Sequence, residues 1–284
     1  MSTQIFSERL ISANGDLTSF NNSLIVHVSS LEAFASAHIP GATLLTPAEL
    51  ILGIPPAVGK IAEPEQLAHA LQRIGYSRDQ NIVVYDDEGG GWAGRFIWTL
   101  DVIGHSNWAY IDGGLHAWAA AGGDIDTGPP SNPSPTPKAP VLEYNQDLIA
   151  NCDDLISAVN NADENLAVWD ARSQAEHLGQ RSGSTRSGRI PGAAHLDWLD
   201  VMDRDNNLCL RKDLQLCLSE RGITADKTVV VHCQTHHRSG LAYLAARLLD
   251  YPSIKGYDGS WAEWGNREDT PIETGAPDKT ADPV

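Results

Sequence analysis

Residues 228–248 read TVVVHCQTHHRSGLAYLAARL, and this stretch decides the fold. Thr228, Val229, Val230 and Val231 form a β-branched run of the kind found in buried parallel strands. Leu241, Leu244, Ala245 and Leu248 recur at the i, i+3, i+4, i+7 spacing of a helix face. Ser239 stands where that helix needs an N-cap. A strand followed at once by a helix predicts an α/β unit, a parallel sheet covered by helices on both faces, with ligands bound at the carboxyl ends of its strands. Cys233 falls at such an end.

A loop that turns within the few residues from Cys233 to Ser239 points several backbone N–H groups inward and makes a concave anion site. The helix start adds unpaired N–H groups and the positive end of its dipole. A cysteine there is predicted to be more acidic than a free thiol, and its thiolate is a nucleophile. Cys233 is therefore the candidate catalytic residue, and Gln234, Thr235, His236, His237, Arg238 and Ser239 form the candidate anion-binding loop. Arg238 has two uses: it can clamp an anionic ligand, or turn back to hold the loop with Asp170 as partner. The second, structural use is favoured. His236 and His237 are placed near the entrance, where they lend partial positive charge. Cys152, Cys209 and Cys217 read as small buried hydrophobes. No spacing calls for a metal, and no cofactor is implied.

Working outward, the loop has a counterpart. The chain contains HIPGA at residues 38–42 and RIPGA at 189–193. NIVVYDDEGG from Asn81 matches KTVVVHCQTH from Lys227, and IDGGLHAW at 111–118 matches YDGSWAEW at 257–264. Three matches in one order at nearly equal spacing indicate a tandem duplication. Apolar runs at 24–28, 82–85 and 166–169 read as strands, and 96–103 as a helix. Asp86 occupies the place of Cys233 in the first copy. Between the copies, residues 128–140 read GPPSNPSPTPKAP, an extended proline-rich spacer. The expected division is 1–127, a linker at 128–140, and 141–284. The segment 180–188 (QRSGSTRSG) reads as an exposed flexible loop, and the polar tail after Ile272 as frayed. Trp261 and Trp264 are expected beside the cysteine loop, with the other tryptophans in core or interface.

Composition narrows the function classes. With 284 residues, 42% apolar and 20% charged, the chain is a packed protein of about two domains. A net charge of −17 disfavours nucleic acid and anionic membrane surfaces as partners. No apolar run is long enough to span a membrane and no secretory leader is read, so a cytoplasmic setting with reduced thiols is expected. Of the 20 Lys and Arg residues, 15 follow residue 137, and six arginines fall between Arg172 and Arg211. A small anion is expected to be handled in the second half.

The tandem halves, the two IPGA segments, Asp170-Ala171-Arg172, the His-Cys-x4-Arg-Ser loop and YDGSW together resemble the rhodanese sulfurtransferases, over nearly the whole chain. The Cys-Gln-Thr-His-His-Arg loop is most similar to those of bacterial two-domain thiosulfate sulfurtransferases. The resemblance implies a catalytic C-terminal domain and an N-terminal copy that lacks the cysteine and serves structurally. It implies double displacement: the Cys233 thiolate takes the outer sulfur of thiosulfate, sulfite leaves, and a thiophile such as cyanide, a small thiol or a protein acceptor removes the sulfur from the persulfide. Asp170, Arg172 and Arg189 are carried over as supporting residues.

Two departures bear on substrate. Gln234, Thr235, His236 and His237 stand in place of the Cys-Gly-Ser-Gly-Val-Thr-type loop of the mercaptopyruvate sulfurtransferases, and Glu176 stands where those enzymes and the vertebrate thiosulfate enzymes carry an arginine. Gln234-Thr235 also lacks the Arg-Lys charges of the vertebrate loop. Arg172, Arg186 or Arg189 are the candidates to compensate. Four residues separate Cys233 from Arg238, one fewer than in the cysteine phosphatases, which makes a smaller cradle suited to one sulfur atom. A sulfur carrier or redox protein, a 3-mercaptopyruvate sulfurtransferase and a non-enzymatic scaffold are the alternative readings.

Overall fold

The computed structural model describes residues 7–13, 22–131, 136 and 138–276. The first half builds a five-stranded sheet from β1 (Leu10–Ile11), β2 (Leu24–Val28), β3 (Thr43–Leu45), β4 (Ile82–Tyr85) and β5 (Trp108–Ile111). Its order is β1-β5-β4-β2-β3 and every pairing is parallel. Helices α1 (Leu31–Ser36), α2 (Pro64–Arg73), α3 (Gly91–Val102) and α4 (Gly114–Ala120) connect and cover it. The second half repeats the plan with β6 (Leu166–Asp170), β7 (Ala194–His195), β10 (Thr228–His232) and β11 (Ile254–Gly256), all parallel in the order β11-β10-β6-β7. A small antiparallel ribbon of β8 (Met202–Asp203) and β9 (Cys209–Leu210) is inserted. The second set of helices is α5 (Cys152–Asn160), α6 (Gln174–His177), α7 (Leu214–Ser219), α8 (Arg238–Leu248) and α9 (Ser260–Trp264).

The β-branched strands are apolar on both sides because both sides are covered. Ile82 and Val84 join a core shared by both halves, while Val83 and Tyr85 join a second cluster with Phe34 and Ile111. In β10, Val229 and Val231 face the shared core and Val230 packs with Trp261 and Trp264. Alternation of side chains thus assigns each strand two buried faces. The shared core lies where α3 and α8, one from each half, press together. Their crossing requires glycine. A Cβ at Gly94 would collide with the Gly240 carbonyl, and one at Gly240 would collide with the Gly91 carbonyl.

Three local expectations are corrected. The first-half helix begins at Gly91 rather than residue 96, because Gly91 and Gly94 are consumed by this close crossing. Ser239 is not the N-cap of α8. The helix starts at Arg238 with His237 at the cap position, and the Ser239 hydroxyl turns instead to His236 at 2.7 Å. The segment 180–188 is partly exposed but tied: Ser182 Oγ donates to the Ser184 and Arg186 carbonyls at 3.1 and 3.0 Å, and Ser184 Oγ to Trp261 O at 3.0 Å.

The IPGA repeats have a shared structural use. His38 and Arg189, each just before an Ile-Pro-Gly, pair main chain to main chain with Asp126 and Glu273, and so pin the exit of each half. The chain after Ile272 is held by this pairing and by a bond from Gly275 N to Leu178 O of 3.0 Å. Residues 132–135 and 137 of the spacer, and 277–284 of the tail, lie outside the described residues.

Candidate active site

The carboxyl ends of β4 and β10 carry equivalent loops with opposite contents. After β4, the Asp86 carboxylate fills its own loop. Oδ1 accepts from the N–H groups of Glu88, Gly89 and Gly90 at 3.3, 3.1 and 2.8 Å, and Oδ2 from Ala93 at 2.9 Å. Burial, with Glu88 nearby, raises this acid to about 6 even though the amides oppose it. The cradle is built, but its occupant is a carboxylate that carries no sulfur.

After β10, Cys233 occupies the matching place and is 1% exposed. Burial alone would raise its pKa. The Arg238 charge, the Ser239 hydroxyl and N–H, and the His237 charge outweigh burial and hold the thiol below its ordinary value. The loop is stapled to α9: Cys233 O accepts from Trp261 N at 3.0 Å, Gln234 O accepts from Ala262 N at 2.9 Å, and Cys233 N donates to Ser260 Oγ at 3.3 Å. Trp261 is therefore beside the loop as expected, and its ring also carries the Arg172 guanidinium at 4.3 Å.

Arg238 turns back, but onto Glu176 and not Asp170. Nη1 and Nη2 donate to the two Glu176 carboxylate oxygens at 2.8 Å each. Glu176 is in turn the return arm of a capping box with Ser173, whose hydroxyl donates to it at 2.7 Å. Although burial opposes it, Arg238 and Ser173 bring Glu176 down to about 2. Glu176 thus pairs with the loop arginine, which keeps its charge. Asp170 is buried under the end of β10 opposite His232, where Arg172 clasps it through Nε at 2.9 Å and Nη2 at 2.7 Å. His177 adds a contact at 2.9 Å. Burial favours the neutral acid, but His232, Arg172 and His177 keep Asp170 well below the usual carboxylate range.

The compensating arginines are all committed elsewhere. Arg172 also reaches Gly188 O at 2.8 Å, Arg186 reaches Thr270 Oγ1 at 3.0 Å and Thr270 O at 2.8 Å, and Arg189 reaches Gly275 O at 2.6 Å and Glu273 at 3.2 Å. The histidines divide. His236 is fully buried with φ of 57°, wedged edge-on against Trp98 with ring centroids 4.6 Å apart. Burial and the nearby Arg95 hold it well below its usual pKa, so it is neutral and is not at the entrance. His237 does lie at the rim: it stacks on Trp92 at 4.3 Å and bonds to Glu88, both from the first half.

The first half therefore contributes more than Asp86. Gly59 lies so close to the Thr235 carbonyl that a Cβ would collide with it. Ile61 N donates to Asp258 Oδ2 at 2.8 Å, and Lys60 pairs with Glu263 at 2.7 Å. Arg95, fully buried, leaves Nε and Nη1 without partners among the described residues. None of Gly59, Lys60 or Arg95 carries a motif signal, because their relevance lies in contacts across the two copies. A cleft of about 410 Å³ opens beside the loop, with Glu176, Arg181, Asp197, Trp198, Gln234 and Arg238 on its wall. Among the described residues, no group of His, Cys, Asp and Glu is arranged to hold a metal ion, and no helix is long and apolar enough to cross a membrane.

The rhodanese-like domain pattern matches this chain twice, at residues 12–121 and 152–267. The chain belongs to the rhodanese family. This rhodanese is 46% identical over 250 residues to a thiosulfate sulfurtransferase of Azotobacter vinelandii, covering 88% of this chain and 90% of that one. It is 44% identical to a thiosulfate sulfurtransferase of Pseudomonas aeruginosa, with the same coverage. Among solved structures, a variant of EanB with ergothioneine covalently linked to a persulfide cysteine superposes with a TM-score of 0.82 at 25% identity, covering 98% of this chain and 72% of that chain. The repeat of the domain pattern agrees with the duplication read from the sequence.

Proposed function

We propose that this rhodanese moves the outer sulfur of thiosulfate to cyanide or another thiophile through a persulfide on Cys233. One observation carries the reading. A thiol that is almost completely buried nevertheless has its pKa held below the ordinary value by Arg238, by the Ser239 hydroxyl and N–H, and by His237. Such an arrangement stabilises an anion on sulfur and little else. The thiosulfate sulfurtransferases to which the chain is 44–46% identical support the choice of donor.

The steps balance without a cofactor. The Cys233 thiolate attacks the outer sulfur of thiosulfate, the S–S bond breaks, and its electron pair leaves with sulfite. The terminal sulfur of the new persulfide carries the negative charge, stabilised by the same donors. Cyanide carbon then attacks that sulfur, thiocyanate departs, and Cys233 is returned as thiolate. The Arg238–Glu176 clamp holds the loop rather than gripping an oxyanion, which disfavours a phosphatase reading. In this reading residues 141–284 are the catalytic domain, residues 1–127 wall the site, and 128–140 join them. The four free thiols support a reducing, cytoplasmic setting.

Thiocyanate formation from thiosulfate and cyanide is the test. Cys233→Ser should abolish it and Cys152→Ser should leave it intact, while wild-type protein treated with thiosulfate gains about 32 Da, one sulfur atom. Thiocyanate production surviving Cys233→Ser would overturn the assignment. A second reading, a persulfide carrier with a protein acceptor, is supported by the 31% identity over 252 residues to the sulfur carrier protein TtuD of Thermus thermophilus. A carrier shows the mass gain with slow turnover on small acceptors.

A further inference from the structure

We propose that Arg181 is the anion-recognition residue of this rhodanese, taking the sulfonate end of the donor at the cleft beside the Cys233 loop. The inference rests on the sulfurtransferase reading above. A dianionic donor has to approach a thiolate, so like charges meet unless a cation lies on the path. Apart from the fully buried Arg95, the cations around the loop are already engaged, His237 by Glu88 among them. Arg238 is clamped by Glu176, Arg172 by Asp170, Arg186 by the segment around Thr270, and Arg189 by Glu273. His236 is buried and neutral.

Arg181 differs in every respect. It is exposed, it lines the cleft, and its guanidinium meets no acceptor among the described residues. Its backbone is nonetheless held, since its N–H donates to Ala175 O at 3.2 Å and the next residues are tied through Ser182 and Ser184. Gly183 packs on the Gln234 side chain, which places this segment directly over the cysteine loop. The charges on the cleft wall also balance through Arg181. Glu176 and Arg238 pair, and Arg181 is the further cation on a wall that also carries Asp197, whose Oδ1 accepts from Leu199 N at 3.1 Å. Removing Arg181 leaves a net negative wall facing an anionic donor. The arginine missing at position 176 is replaced in function by one five residues along the chain, on a different segment.

The donor half-reaction separates this claim from the function itself. Protein is mixed with thiosulfate at low salt, quenched at intervals, and the fraction carrying one extra sulfur is read by intact mass. Arg181→Ala should load about tenfold to a hundredfold more slowly, the worth of one charged hydrogen bond. Arg181→Lys should recover part of the rate, and Arg181→Glu should be slower than alanine. Unloading by cyanide, mostly uncharged hydrogen cyanide near neutral pH, should change by less than about twofold. Added salt should slow the wild type more than Arg181→Ala. Alanine loading at the wild-type rate with the wild-type salt dependence overturns the anion site while leaving the function standing. Wild-type protein that never gains sulfur from thiosulfate overturns the function and this inference with it.

Discussion

Replacing Glu176 by glutamine removes one charge and little volume, at the carboxylate that clasps the loop arginine. In the native protein the carboxylate receives two Arg238 N–H groups at 2.8 Å each and the Ser173 hydroxyl at 2.7 Å. The side chains of Arg238 and Glu176 are 20% and 11% exposed, so water screens the pair only weakly. Burial works against ionisation, but Arg238 and Ser173 bring the acid from 4.5 to about 2. At about 1.4 kcal/mol per pH unit, that is a contribution on the order of 3 kcal/mol at neutral pH. The folded pKa lies below the unfolded one. The contribution is therefore complete above the unfolded value and drains away as the pH falls toward the folded value. Relative to pH 7, it should be smaller by about 0.8 kcal/mol at pH 4 and about 2 kcal/mol at pH 3. Glutamine keeps one acceptor, so Glu176→Gln should lose about 2–3 kcal/mol at pH 7, and the gap to wild type should narrow on acidification. Urea unfolding of both proteins between pH 7 and pH 3.5 measures this. The freed Arg238 should also speed loading from thiosulfate several-fold. A variant as stable as wild type at pH 7, or a gap that ignores pH, would refute the view that Glu176 is the ionised partner of Arg238.

Two further outcomes test the packing and the thiol. Cys233 should show the lowest pKa of the four cysteines when alkylation by iodoacetamide is followed peptide by peptide against pH. Burial raises Cys152 and Cys217 above 9.0 and pushes Cys209 up to about 12. A Cys233 that titrates with the others would remove the electrostatic basis of the mechanism. Gly94→Ala should cost about 1–3 kcal/mol in thermal or urea unfolding, because the new methyl meets the Gly240 carbonyl. It should lower turnover as well, since α3 and α8 begin at the Asp86 and Cys233 loops; an alanine variant of full stability and activity would show that the helices tolerate separation.

Much of the site was legible because it is local. Strand, cysteine, loop and helix occupy consecutive residues, and a buried parallel strand needs β-branched residues on both faces whatever lies beyond. The duplication was visible for the same reason: each copy repeats its own short-range requirements, including the residue before Ile-Pro-Gly that pins the chain exit. The errors fall where a side chain chooses among distant partners. From sequence, Arg238 has Asp170 as its expected partner, whereas the structure pairs it with Glu176. The capping box that aims Glu176 at it is apparent only once α6 is placed beside the loop. His236 looks like a surface histidine in a polar run, yet its left-handed backbone turns it into the gap between Gly256 and Trp98.

The amino-acid order alone settled that two copies of one α/β unit exist, and that one carries Cys233 and the other Asp86 just after the matching strand. Chain folding decided which charges surround the Cys233 sulfur. The second half's loop is closed by Gly59, Glu88 and Trp92 from the first, and its arginine is paired with Glu176. The reason is range. Hydrogen-bonding periodicity acts between neighbours in the chain, whereas Coulomb and packing forces act between neighbours in space, and the packing of α3 against α8 helps bring the two halves' loops together.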